Sequence, residues 1–143
     1  MEAIANTNVI ADAVEEFELN REHKYPKYEN SVETFKSKIA EGLVIRDQDP
    51  EDPVVQERIR REFDAFKKTI KPDSKYGSAI DYLLLEEDIK SWCRANDVVY
   101  GAGRGSATGC YSAYLLRVHD IDSIKHNLVF ERFFNPERVS LAD

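Results

Sequence analysis

No apolar run in these 143 residues approaches the ~18 needed to cross a bilayer, so a membrane-spanning helix is not expected. Cysteine is scarce. Cys93 and Cys110 have neither metal-ligand spacing nor a disulfide framework around them, and they read as reduced thiols in a cytoplasmic protein. The three histidines, His23, His119 and His126, form no pattern that sets an imidazole beside a nucleophile, and no His/Cys/Asp/Glu cluster has metal-site spacing. A targeting leader is not expected in this segment either: MEAIANTNVIADAVEEFE is acidic and polar, unlike a secretory signal or a basic transit peptide. The chain has no excess of basic residues either. A net charge of −7 would ordinarily argue against a nucleic-acid partner. That acidity lies mostly in the first fifty residues, however, whereas residues 101–143 hold five acids and five bases. The overall charge therefore does not decide the function.

What is present is enough for one domain with a real core: 42% hydrophobic and 33% charged residues. Asn6 or Thr7 is expected to cap a first helix carrying Val9, Ile10, Ala13, Val14 and Phe17 at helical spacing. A loop from Asn20 to Asn30 leads to Ser31 and Thr34 and a second helix through Phe35, Ile39 and Leu43, with Gly42 weakening its end. The hydrophilic turn DQDPEDP follows, and Pro53 suits the start of a long helix with Val54, Val55, Ile59, Phe63, Phe66 and Ile70 along one face. Its other side is basic through Arg58, Arg60, Arg61, Lys67, Lys68 and Lys71. It reads as a solvated face paired with Glu57, Glu62 and Asp64 in preference to a nucleic-acid surface. A fourth helix is expected over 78–95, with Ile80, Leu83, Leu84, Ile89 and Trp92 as its apolar positions. A strand at Val98, Val99 and Tyr100 and a helix from Ser106 to about Arg117 come next. Asp120-Ile121-Asp122 then caps a short turn, a helix ends near Phe134, a turn lies at Asn135-Pro136, and a strand begins around Arg138. The expected class is α/β (α+β), helix-rich, with a short sheet.

The run VVYGAGRGSATGCYSAYLL holds the most chemistry. A strand that breaks at glycines and restarts as a helix leaves backbone N–H groups pointing outward, and Arg104 adds a full positive charge. That combination suits a phosphate, although glycines can also serve a tight turn alone. Rival motifs fit poorly. A nucleoside-triphosphatase phosphate loop needs a lysine, and none lies between Gly101 and Leu116. A dinucleotide fingerprint would need a third glycine where Ser106 stands. A nucleophile elbow around Ser106 would need a glycine at Thr108.

From Tyr82 onward the chain resembles the start of the catalytic palm of bacterial C-family replicative DNA polymerases, the alpha subunit of DNA polymerase III. Tyr82, Leu83, Leu84, Leu85, Asp88, Ile89 and Trp92 match a helix of that family. Gly101, Gly103, Arg104, Gly105, Ser106, Ala107 and Gly109 match its Gly-x-Gly-Arg-Gly-Ser-Ala-x-Gly turn. Ala113-Tyr114, Asp120-Ile121-Asp122 and the run from Val129 to Ser140 follow in the family's order without a gap. The first part resembles the family more loosely, through Asn6-Thr7, Ile10-Ala11, Pro26 and Glu41-Gly42-Leu43. Ala102 and Ala142 stand where the family usually has proline.

The resemblance implies an incomplete nucleotidyltransferase palm, with residues 1–75 a helical lead-in and 76–143 the first part of the palm. It implies that Gly103, Arg104, Gly105 and Ser106 grip the nucleotide triphosphate. Arg132 and Arg138 are further candidate phosphate contacts, with pairing to Glu131 or Glu137 as the structural alternative. Asp88 and Trp92 would pack and orient. The family's magnesium-binding aspartates follow the position matched by Asp143, so the resemblance implies no catalytic or metal-binding residue in this chain. The expected partners are a complementary polymerase chain or the remainder of the polymerase, primer-template DNA and a deoxynucleoside triphosphate. A split or intein-interrupted gene, for instance of a phage, an excised piece or a degenerate remnant would each give such a chain. The competing expectation is a non-catalytic, palm-derived module that docks on a replication protein or on DNA.

Overall fold

A computed structural model describes residues 2–19 and 25–135. Among these described residues five α-helices run in order: α1 (Glu2–Asp12), α2 (Ser31–Ile45), α3 (Pro53–Lys67), α4 (Ala79–Ala95) and the short α5 (Tyr111–Leu115). Two single 3₁₀ turns, Gly105–Gly109 and Phe130–Arg132, flank α5 in sequence. No helix among the described residues is long and apolar enough to cross a membrane.

The helix starts follow local chemistry. Asp52 accepts a hydrogen bond from the Val54 amide at 2.7 Å, and Pro53 occupies the first turn of α3, where its missing N–H costs nothing. At α4, Ser78 and Asp81 form a reciprocal capping box. The Asp81 carboxylate takes the Ser78 amide and hydroxyl, both at 2.6 Å, and also the Tyr28 amide at 2.8 Å. That last bond ties the segment before α2 to the start of α4. The start of α2 differs: Asn30 lies in the left-handed region at φ 53° and makes no side-chain cap. Gly42 does not weaken the end of α2, which continues to Ile45. A methyl group there would overlap the Leu115 carbonyl, so glycine is what lets α2 touch α5.

The core lies where α2, α3, α4 and α5 meet. Phe66 of α3 has no exposed surface, and its ring meets Phe35 at 6.2 Å, Phe130 at 5.6 Å and Phe134 at 5.3 Å, all edge to face. Ile80, Leu83 and Leu84 from α4, Leu115 from α5 and Leu116 just after it complete it. Side chains from both halves of the chain thus share one core.

Several expectations are corrected. Among the described residues there is no strand, so the α/β class with a short sheet is replaced by an all-helical arrangement. Val98, Val99 and Tyr100 run as irregular chain, with Val99 95% exposed. A β-branched run becomes a strand only when a neighbour supplies the ladder, and no described segment lies in that register. The strand expected around Arg138 lies outside the described residues, as does His23. The helix expected from Ser106 to Arg117 is instead a 3₁₀ turn and a separate five-residue α5, broken at Cys110 in extended conformation (φ −92°, ψ 110°). α1 begins at Glu2, not at Asn6 or Thr7, and its Val9 and Ile10, like Val14 and Phe17 just after it, are exposed. Ile89 and Trp92 lie on the exposed side of α4, with Trp92 61% exposed, and Asp88 is exposed beside them. The packing role expected of Asp88 and Trp92 is therefore not seen. Cys93 is half-buried and Cys110 buried, both as free thiols.

Candidate functional site

The glycine-rich turn sits at the rim of a cleft of about 1080 Å³. α4 supplies one wall through Tyr82, Glu86 and Lys90; the turn supplies a second, and the segment around Arg132 a third. Of the residues singled out in the sequence, Gly103, Arg104, Gly105, Ser106 and Arg132 all line this one cleft, although 26 positions separate Ser106 from Arg132. Arg138 lies outside the described residues.

Residues 101–106 are exposed. Gly105 has φ +53°, and a Cβ there would meet nothing, so backbone conformation alone requires glycine. Among the described residues, no carbonyl of the chain accepts from the amides of Gly105 or Ser106. These are the first two positions of the 3₁₀ turn, whose N–H groups have no partner within it. Arg104 is extended (φ −145°, ψ 134°) and forms no ion pair among the described residues. Glu131, the alternative partner considered for Arg132, is engaged by Arg61 at 3.4 Å. Lys90 lies over the Tyr100 ring at 4.3 Å and adds a third cationic side chain to the lining, against the carboxylates of Glu86 and Glu131.

The turn is exposed, yet its ends are held. The Asp120 amide donates to the Ala102 carbonyl at 2.7 Å, and the Ser123 hydroxyl donates to the Thr108 carbonyl at 2.8 Å. Behind the turn, the His119 imidazole bridges two backbone groups: Nδ1 accepts from the Ile121 amide at 3.3 Å, which makes Nε2 the protonated donor to the Cys110 carbonyl at 3.0 Å. Burial pushes its pKa below 6.5, so neutral imidazole is the resident form. Arg46 reaches over from α2's end, donating to the carbonyls of Tyr114 and His119 and to Asp120, with its guanidinium 4.4 Å from the Tyr114 ring centre.

Sequence reasoning misplaced one pair. Glu62 was expected on the solvated face of α3 but is completely buried, and Arg58 pairs with it at 2.7 Å. The signal was available in the spacing. Val55, Ile59, Glu62 and Phe66 fall on one stripe of the helix, so Glu62 stands at a core position. Arg60, by contrast, is exposed and pairs with Glu57 and Asp64 as expected. His119, Lys90 and Arg46 carried no sequence signal, because only the fold brings them to the turn. Burial, and then the nearby Glu62 carboxylate, push the Cys110 thiol well up, so it is an inert packing group.

Backbone amides and cations around a cleft can in general hold a phosphate; the family to which the chain belongs follows from comparison. The family model described as "Bacterial DNA polymerase III alpha NTPase domain" matches residues 32–143. The chain belongs to the bacterial DNA polymerase III alpha family. The DNA polymerase III subunit alpha of Aquifex aeolicus (strain VF5) is 37% identical over 141 residues, covering 93% of this chain and 11% of that protein. Those of Ureaplasma parvum serovar 3 (strain ATCC 700970) and Staphylococcus aureus (strain Mu50 / ATCC 700699) are each 51% identical over 63 residues, 44% of this chain and 6% of theirs. The chain thus spans about a tenth of the length of the Aquifex subunit. Within this family it corresponds to the N-terminal part of the palm. Among the described residues no group of three His, Cys, Asp or Glu side chains could hold a metal ion, so the donor set that polymerase chemistry needs is not met by them.

Proposed function

We propose that this chain supplies the triphosphate-binding turn of a DNA-directed DNA polymerase active site, in the cytoplasm, with the magnesium-binding aspartates on polypeptide outside it. The observation that carries this reading is the convergence of open amides at Gly105 and Ser106 with Arg104, Arg132 and Lys90 on one cleft. Gly103 gives the chain its approach to the turn, and the Ser106 hydroxyl is a further donor. Backbone N–H groups and guanidinium groups match the non-bridging oxygens of a triphosphate, and positioning with charge neutralisation is most of what nucleotidyl transfer asks of a protein. Helix dipole contributes little, since the 3₁₀ turn and α5 have five residues each. The remainder of the polymerase, or a complementary chain, would bring the metal ions and the primer-template DNA.

In a complete polymerase carrying this segment, Arg104→Ala should raise the KM for deoxynucleoside triphosphate about tenfold, the loss of one hydrogen-bonded charge contact. The isolated chain should show no primer extension. An unchanged KM, or extension by the chain alone, would refute the reading.

A palm-derived module that docks on a replication protein is the second reading, and the exposure of Ile89, Trp92 and Val99 supports it. Under that reading Arg104→Ala leaves partner binding unchanged while Trp92→Ala weakens it.

A further inference from the structure

The sequence Ala-Thr-Gly-Cys-Tyr-Ser-Ala-Tyr-Leu-Leu does not by itself set the geometry of the break between the 3₁₀ turn and α5: Thr108, Gly109 and Cys110 are poor helix formers, which weakens a helix there without fixing Cys110 as extended. In a continuous helix the amides of Tyr111 and Ser112 would donate to the carbonyls of Ala107 and Thr108, and Gly109 would accept from Ala113. Each of these groups is taken by something else. Glu62 Oε1 accepts from the Tyr111 amide at 2.8 Å, and Oε2 from the Ser112 amide and hydroxyl, both at 2.7 Å. Arg58 Nη2 donates to the Gly109 carbonyl and to the Leu128 carbonyl, while its Nε holds Glu62 Oε1 at 2.7 Å. Ser123 takes the Thr108 carbonyl, and the Cys110 amide takes that of Ala107 at 3.0 Å. The first bond of α5 to follow normal helical geometry is Tyr114 to Cys110.

We propose that Arg58 and Glu62 are positioning residues for the phosphate-binding turn: the buried pair diverts the backbone groups on both sides of Cys110, holds that residue extended, and so fixes how the Gly105 and Ser106 amides face the cleft. The proposal rests on the reading of the turn as a phosphate site. An ion pair with no exposed surface on its carboxylate is costly to bury. Here every buried side-chain polar atom among the described residues has a partner, and the carboxylate's bonds go to the hinge of the turn. A pair serving α3 alone would have no need to reach residues about fifty positions away.

The test uses Glu62→Gln in the full 143-residue chain and reads two quantities by NMR. A glutamine NH₂ cannot accept, so at least one hinge amide is released. The first readout, without ligand, is the ¹³Cα shift of Cys110, which reports extended against helical backbone. The second is the affinity for inorganic tripolyphosphate. The proposal expects the Cys110 shift to move toward the helical value and the affinity to fall about tenfold, as for loss of one well-placed bond to a charged group. Lower thermal stability with Cys110 still extended would overturn it, leaving the pair a merely structural one. A helical Cys110 with unchanged affinity would also overturn it. If Glu62→Gln does not fold, Arg58→Lys, which keeps the charge but cannot hold Glu62 and both the Gly109 and Leu128 carbonyls at once, should shift Cys110 in the same direction by less, and no shift there would count against the proposal. A wild-type chain that fails to bind tripolyphosphate refutes the phosphate reading instead, and the Cys110 shift alone then decides whether the pair sets the hinge.

Discussion

His119 shows how single residues set the back of the turn. Its Nδ1 lone pair is already used by the Ile121 amide, so a second ring proton would bring N–H against N–H in a site with 2% exposure. Burial lowers the pKa, and the charge of Arg46 adds to that effect, while the Cys110 and Ala107 backbone contacts and Asp120 oppose it. The sign follows directly. The unfolded chain binds the proton more readily than the folded one, so the stabilisation is fully present above the ordinary value of 6.5 and is lost as pH falls toward the folded pKa. Urea unfolding between about pH 7 and 5 should therefore show a steeper loss of stability in the wild type than in His119→Gln. Equal slopes would mean that the imidazole does not titrate with folding.

The starts of α3 and α4 are legible in the sequence because capping is local, whereas the Asn6 or Thr7 cap expected for α1 is not where that helix begins. Pro53 at the start of α3 and Ser78 at the start of α4 both occur as expected, and Asp52 beside Pro53 adds the cap. Asp81 does more than cap: three donors from Ser78 and Tyr28 converge on its 3% exposed carboxylate. Asp81→Ala should cost about 1–3 kcal/mol in chemical denaturation, since it leaves two backbone amides buried or half-buried without a partner; a loss below a few tenths would show that water replaces the carboxylate. What failed were elements defined by distant partners. The helix expected over 106–117 is cut by Glu62 and Arg58, roughly fifty positions upstream, and no window of local sequence contains them. The strand expected at Val98 failed for a related reason: strands are pairwise objects, and alternation or β-branching in one segment says nothing of its partner.

Across the described residues, large apolar side chains stand exposed along and just after α1 and on and just after α4. Ile4, Val9, Ile10, Val14, Phe17 and Leu19 are each at least 66% exposed, and Trp92 and Val99 are 61% and 95% exposed. The Aquifex relative is about nine times as long as the region matched here. The candidate site was legible at the residue level, because Gly-Arg-Gly-Ser is contiguous; its cleft was not, because Lys90 and Arg132 reach it only through the packing of α4 and the Phe130–Arg132 turn against the core. The decisive measurement is an NMR titration of the chain with inorganic tripolyphosphate, following every backbone amide in the wild type and in Arg104→Ala. A triphosphate site at this turn predicts saturable shifts centred on Gly103, Arg104, Gly105 and Ser106, extending to Arg132, and much weakened by Arg104→Ala. Shifts centred on Arg60, Lys67 and Lys68 of the basic side of α3, and indifferent to Arg104→Ala, would contradict it.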